Sequence, residues 1–216
     1  MSDPALEEGW VAESLRAEFP RLGVVSIAIE APPHGRSPQG VRDQLELLAT
    51  RFRGADALAL RQRPVPHAYR VFFRHVGLDP DTTRVPAEAV AIERLVHGGF
   101  VSRNLLDDAL TIALVETGVP VWALDADAID GPLGVRLAAA GEHLGGDPAT
   151  SSLPDGQIVV ADAANPLAPL FGELTPACAI TRRTTAVRLF AVQVDGVPAI
   201  HVAEALWVCA DTLRVP

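Results

Sequence analysis

Apolar side chains recur near the start of the chain at Leu6, Trp10, Leu15 and Phe19, about one helical turn apart. This spacing predicts an amphipathic helix over residues 4–19. The period then shortens. From Leu22 to Ala31, Val25, Ile27 and Ile29 alternate with Ser26, Ala28 and Glu30, which reads as a strand ended by Pro32-Pro33-His34-Gly35. Ser37-Pro38 then opens a helix: Ser37 can cap free N–H groups, Pro38 suits a first turn, and Val41, Leu45, Leu48 and Phe52 form the buried stripe. A base-rich helix follows over residues 61–77, stopped by Gly77. Residues 86–97 and 102–117 read as two more helices, the second with Ser102 as cap and Gly118 as stop.

Beyond Gly118 the character changes. Val119 to Leu124, Gly134 to Leu137, Ile158 to Ala161 and Thr185 to Val194 read as strands between clusters of Gly, Pro and Asp. Asp195-Gly196 is a hairpin signal, and Ile200 to Leu213 returns to helix with Val202, Leu206 and Leu213 roughly in register. Asp147 to Asp155 reads as a surface loop. Helices come mainly first and strands mainly later, without regular βαβ alternation. The pattern therefore predicts an α+β layered fold rather than a doubly wound sheet.

Composition narrows the function. Apolar residues make up 49% of the 216 and charged residues 21%, a globular balance. All 18 basic residues are Arg; against 27 acidic ones they leave a net charge of −9, which argues against a protein that coats DNA by charge alone. Cys178 and Cys209 make no disulfide framework and read as buried apolar fillers, and neither CxxC nor HExxH spacing occurs. No cofactor or metal is expected. The acidic start, Met1 to Glu8, lacks the basic-then-apolar order of an export signal. There is also no run of about 18 apolar residues, so a soluble, cytoplasmic chain is expected.

Signatures of common catalysts are missing: no GxSxG elbow, no Walker A loop and no GxGxxG after a strand. Three local features stand out. Arg61, Arg63, Arg70 and Arg74 interleave with Tyr69, Phe72 and Phe73, either as an RNA-binding face or as a helix with packed rings and solvated arginines. Arg103-Asn104-Leu105-Leu106-Asp107-Asp108 precedes a helix, and the next strand ends on Asp125 and Asp127; these are ligand contacts or caps and turns. Phe171-Gly172-Glu173 is followed by Thr181-Arg182-Arg183-Thr184, where Glu173 either reads a ligand hydroxyl or is an exposed loop acid.

The order of the pieces carries more than any one of them. Asn104 to Asp108, Val119-Pro120-Val121, Ala123 to Gly131, Arg136 to Glu142 and Val159-Val160-Ala161-Asp162 follow one another with compatible gaps. Over roughly residues 85–190 this series resembles the B3/B4 domain, a module of the β subunit of bacterial phenylalanyl-tRNA synthetase that also occurs alone. The segment Arg61 to Gly77 resembles the basic helix that precedes the module in stand-alone forms. The resemblance implies a three-layer α+β fold with an unusual β-sandwich flanked by helices. A division into residues 1–80, an N-terminal portion with the basic helix, and 81–216, the B3/B4-like core, follows, the two forming one compact unit.

The resemblance also implies RNA-related work. In the synthetase this module hydrolyses tyrosine wrongly esterified to the phenylalanine tRNA, reading the extra hydroxyl with polar groups in a pocket. The chain departs from that pattern: Trp122 stands where the synthetase motif has a His, and Arg103 lies two positions from the place of a motif Arg. An indole offers one donor and a stacking face but no base. The implied roles are then water positioning by Asn104, Glu173 and Thr184, with Arg103, Asp108, Trp122, Asp125 and Arg70 contacting substrate. Nothing resembles an aminoacylation core. The expected partner is tRNA or aminoacyl-tRNA, bound or deacylated in trans. The alternative is a non-catalytic module in which Trp122 walls a pocket for an aromatic or aliphatic metabolite.

Overall fold

The computed structural model describes residues 5–30, 34–52 and 54–214. In chain order the elements are β1 (Leu6–Glu8), β2 (Trp10–Val11), α1 (Glu13–Glu18), β3 (Gly23–Glu30), α2 (Gln39–Arg51), α3 (Gly54–Ala59), α4 (Pro64–His75), α5 (Pro86–His97) and α6 (Leu105–Thr117). Then come β4 (Val121–Asp125), β5 (Gly134–Leu137), β6 (Ile158–Ala161), β7 (Pro166–Pro169), β8 (Ala186–Gln193) and α7 (Ala199–Leu213). The first sheet has the order β1-β3-β8-β4 and the second β2-β5-β6-β7. Helices α6 and α7 pack on each other and on the first sheet, and α2 packs on α6. This is an α+β architecture of helices, sheet and sheet.

Strand alternation assigns the two faces of the first sheet. Ile27, Leu189 and Ala123 form one cross-strand row, and Ser26, Phe190 and Trp122 form the neighbouring row. Trp122 and Phe190 share a cleft with Val160 and Ala168 of the second sheet, so their row faces between the sheets. The Ile27 row turns to the helices, where Val202, Leu206 and Cys209 of α7 are fully buried. Val202 and Leu206 each contribute roughly 1.5–3 kcal/mol by leaving water. The strands at the division near residue 80 are not segregated: β3 pairs with β8, and β2 pairs with β5.

Several expectations are corrected. The opening segment is not one helix: Leu6–Glu8 pairs with β3 in the first sheet, Trp10–Val11 pairs with β5 in the second, and only Glu13–Glu18 is helical. Gly9 makes the crossing possible, because a Cβ there would lie 2.2 Å from Leu133 O. Gly134 is needed for the same kind of reason: its Cβ would sit 2.0 Å from the Trp10 indole. Ser37 does not cap α2, nor Ser102 α6; both hydroxyls turn to Asp108. Asp195-Gly196 makes no hairpin but turns the chain into α7, which starts after Pro198. The strand β7, with Pro at both ends, was not expected; it lies at the edge of its sheet, where missing N–H donors are tolerated. Gly77 and Gly118 stop α4 and α6 as expected. Pro32-Pro33 and residues 1–4 lie outside the described residues.

Candidate functional site

The register brings three loops to one end of the first sheet, where Glu30 of β3 opposes Ala186 and Asp125 of β4 opposes Val187. His34 Nε2 lies 3.2 Å from Thr184 O, and Leu105 N–H donates to Gly35 O at 3.1 Å. The carboxylate of Asp108, 1% exposed, gathers this end. Ser37 Oγ and Ser102 Oγ donate to its Oδ2 at 2.5 and 2.6 Å, and the Arg103 N–H donates to Oδ1 at 3.0 Å. A buried carboxylate with these neutral donors is stabilised where it stands. Asp108 thus ties residues 37 and 102–108 together.

The neighbouring polar groups are engaged in the same way. Asn104 is the cap of α6: its Oδ1 accepts from Asp107 N–H at 2.9 Å and its Nδ2 donates to Asp107 Oδ2 at 2.8 Å. Thr184 Oγ1 donates to Asp125 Oδ2 at 2.6 Å and accepts from Thr181 N–H at 3.0 Å. Asp125 Oδ1 in turn accepts from Asp127 N–H. Arg103 is exposed and pairs with Glu93. Asn104, Thr184, Asp125, Asp108 and Arg103 therefore belong to one loop cluster whose hydrogen bonds position backbone.

Trp122 is elsewhere. It lies three residues before Asp125 on β4, hence on the opposite face of the sheet. Its indole stacks on Phe190, with centroids 5.5 Å apart and planes at 17°, and meets Phe171 at 5.9 Å. Phe171 also contacts Tyr69, Phe72 and Phe73 of α4. Its φ of 62° is in the left-handed region, an unfavourable conformation for a bulky side chain that this packing holds in place. The cleft between the sheets is lined by Trp122, Val160, Ala168, Pro169, Phe171, Gly172, Phe190 and Val192, and it has no room for a water-sized sphere. Glu173 follows this lining in sequence but is exposed, and its side chain makes no hydrogen bond or ion pair among the described residues.

The base-rich segment is mostly self-neutralised. Arg70, expected on the RNA side, is buried; its Nη1 donates to both oxygens of Glu88 at 2.8 and 2.9 Å, and its Nη2 to Asp81 at 2.9 Å. Burial works against its charge, but the bonds it donates to Asp81 and Glu88 outweigh it and raise the guanidinium pKa further. Arg61 reaches Glu88 and Asp81, and Arg63 reaches Asp56. Tyr69 donates to Val192 O at 2.8 Å, and its burial pushes the phenol pKa up.

The motif residues of the resemblance also act as scaffold. Glu142 accepts from both guanidinium nitrogens of Arg136, at 2.7 and 2.5 Å, and from Ala139 N–H. These bonds hold the Glu142 carboxyl below the usual range, the Arg136 bond first. Asp162 accepts from the N–H groups of Asp130, Ala164 and Asn165. Sequence reasoning missed Phe190, although the alternation of β8 opposite β4 marks it as Trp122's neighbour. Among the described residues no three His, Cys, Asp or Glu side chains gather as a metal site, and no helix is long and apolar enough to cross a membrane.

Comparison with known proteins gives a family. A profile described as B3/4 domain matches residues 68–202, more than half of the chain. The phenylalanine–tRNA ligase β subunit of Xanthomonas oryzae pv. oryzae is 37% identical over 93 residues, covering 43% of this chain and 11% of that protein. The same subunit of Xylella fastidiosa is 37% identical over 93 residues, with the same coverage. That of Legionella pneumophila is 36% identical over 77 residues, covering 35% of this chain and 10% of that protein. The matched segment thus spans about a tenth of the length of these relatives.

Proposed function

Because the chain belongs to the B3/4 domain family, we propose that it binds aminoacyl-tRNA in trans and does not hydrolyse the ester. The relation to the β subunit of phenylalanine–tRNA ligase supports the tRNA part of this reading. One observation carries the rest: none of the eight residues lining the cleft has an imidazole, a carboxylate or a hydroxyl. General-base hydrolysis of the ester needs a group that takes the proton of the attacking water, and an indole N–H can only donate. Asn104 and Thr184, the other groups expected to hold water, are already donor and acceptor within the loop cluster on the opposite face. Glu173 is the nearest carboxylate in sequence to the lining and is the residue to vary.

The test pairs binding with deacylation. Transfer RNAs charged with phenylalanine or tyrosine should bind with an affinity that falls as salt rises, by roughly 0.7–0.9 log units per log unit of salt for each phosphate neutralised. The ester should decay at the rate in buffer alone, for the wild type and for Glu173→Ala. Absence of salt-dependent tRNA binding would refute the association. Accelerated decay by the wild type that Glu173→Ala removes would refute the non-hydrolytic part and restore Glu173 as a catalytic residue.

A further inference from the structure

A second concavity lies away from both the Trp122 cleft and the loop cluster. The C-terminal ends of α2 and α6, the start of α4 and one side of α5 enclose a cavity of about 250 Å³. Its wall is an apolar cluster separate from the main core: Phe52, Leu60, Ala87, Ala91 and Leu114 are buried there, with Phe100 packed against them. An apolar cavity of about 150 Å³ can already hold benzene, so this one has room for a ring or a short alkyl chain. It falls just below the range of about 300–1,000 Å³ found for pockets that bury larger ligands.

The mouth is polar and asymmetric in charge. Arg63, Glu116 and His201 border it. Glu116 is engaged by the Gln44 amide, Nε2 to Oε1 at 3.0 Å. His201 Nδ1 lies 3.3 Å from Glu204. The Arg63 guanidinium sits 5.7 Å from the centre of the Phe52 ring, directly at the apolar wall. Its pairing with Asp56, Nη2 to Oδ1 at 3.2 Å, joins side chains that are 45% and 37% exposed. Such an exposed pair is weak and readily exchanges one carboxylate for another. Arginine suits that exchange, because its planar fork can offer two parallel donors.

We propose that this cavity binds a small amphipathic monocarboxylate, its apolar body against Phe52, Phe100 and Leu114 and its carboxylate on Arg63. The site is independent of the tRNA reading and shares no residue with the Trp122 cleft. It also moves the ligand expected beside Trp122 to a place with room for one.

Octanoate and uncharged n-octanol, titrated at millimolar concentration into the full chain, test the proposal by thermal denaturation and by methyl chemical shifts. Octanoate should raise Tm progressively, as any ligand selective for the folded state does, and should shift the methyls of Leu114 and Val115. Ala91→Phe places a ring in the cavity and should abolish both effects; Ala87→Leu is the second variant, and circular dichroism checks that each folds. Arg63→Gln should weaken octanoate several-fold and leave octanol unchanged. The proposal is overturned if octanoate shifts neither Tm nor those methyls, or if its effect survives in a folded cavity-filling variant. Equal loss of octanoate and octanol in Arg63→Gln would overturn the carboxylate assignment.

Discussion

Removing the carboxylate of Glu88 should destabilise the protein more than any surface substitution in the base-rich segment. The Arg70 and Glu88 side chains are 8% and 4% exposed, so both charges lie almost entirely out of water. Glu88→Ala deletes both bonds from Arg70 Nη1 and leaves its guanidinium with Asp81, whose side chain is 55% exposed. Breaking a buried pair from one side costs about 3–5 kcal/mol; the remaining Asp81 bond places this case near 3 kcal/mol. Arg61, half exposed, loses a partner at little cost. For a chain of this size 1 kcal/mol shifts Tm by roughly 2–4 °C, so a fall of about 6–12 °C is expected. The double variant Arg70→Met with Glu88→Leu removes both charges and fills similar volume, and it should recover most of the loss. Urea denaturation of Arg70→Met, Glu88→Leu and the double variant closes the cycle. A loss below about 1 kcal/mol in Glu88→Ala, or additive losses in the double variant, would refute the coupled buried pair.

Three further outcomes follow from the same geometry. Gly134→Ala puts a Cβ 2.0 Å from the Trp10 indole, so it should cost about 1–3 kcal/mol and raise amide exchange at Trp10 and Ala12, which donate to Leu133 O and Val135 O; unchanged exchange would contradict the close approach. Glu142 is held below the usual glutamate range by Arg136 and Ala139 N–H, so its contribution is complete above about pH 4.3 and is lost as pH falls through the depressed value. Glu142→Gln should therefore be less stable than the wild type at neutral pH, with the gap closing in acid; a gap constant with pH would count against the pairing. Burial pushes the Cys178 thiol up to about 11 and raises that of Cys209 as well, so neither should react with a disulfide reagent at about pH 8 until the chain is unfolded.

The parts of the fold that were legible are those where a local pattern agrees with its surroundings. The Val25-Ile27-Ile29 alternation and the apolar run of β8 name the two central strands of the first sheet, because both carry a buried face. The opening segment misled because Leu6, Trp10, Leu15 and Phe19 fit a helical spacing, while Gly9 lets Leu6 and Trp10 join different sheets and only Leu15 lies in α1. β7 was not read at all, because Pro at both of its ends is compatible with a strand only at the edge position it takes. The grouping of the expected site residues was hidden for a related reason. Ser37 and Asp108 are 71 residues apart, and no local rule joins them. Asp125 looked available next to Trp122 until the strand placed the two on opposite faces. Arg70 looked solvated because neither Asp81 nor Glu88 lies at helical spacing from it.

The pairing of residues 23–30 with 186–193 has a consequence for how the protein is made. A nascent chain that has not yet extended to residue 186 holds Ile27 and Ile29 ready but has nothing to lay beside them except the short edge strand at Leu6–Glu8. Loop closure over such separations is slow, and the waiting strand is a sticky surface throughout synthesis. Truncations that stop before residue 186 should therefore aggregate rather than accumulate as a smaller folded product. Residues 186–193 have to leave the ribosome before the centre of the first sheet can form.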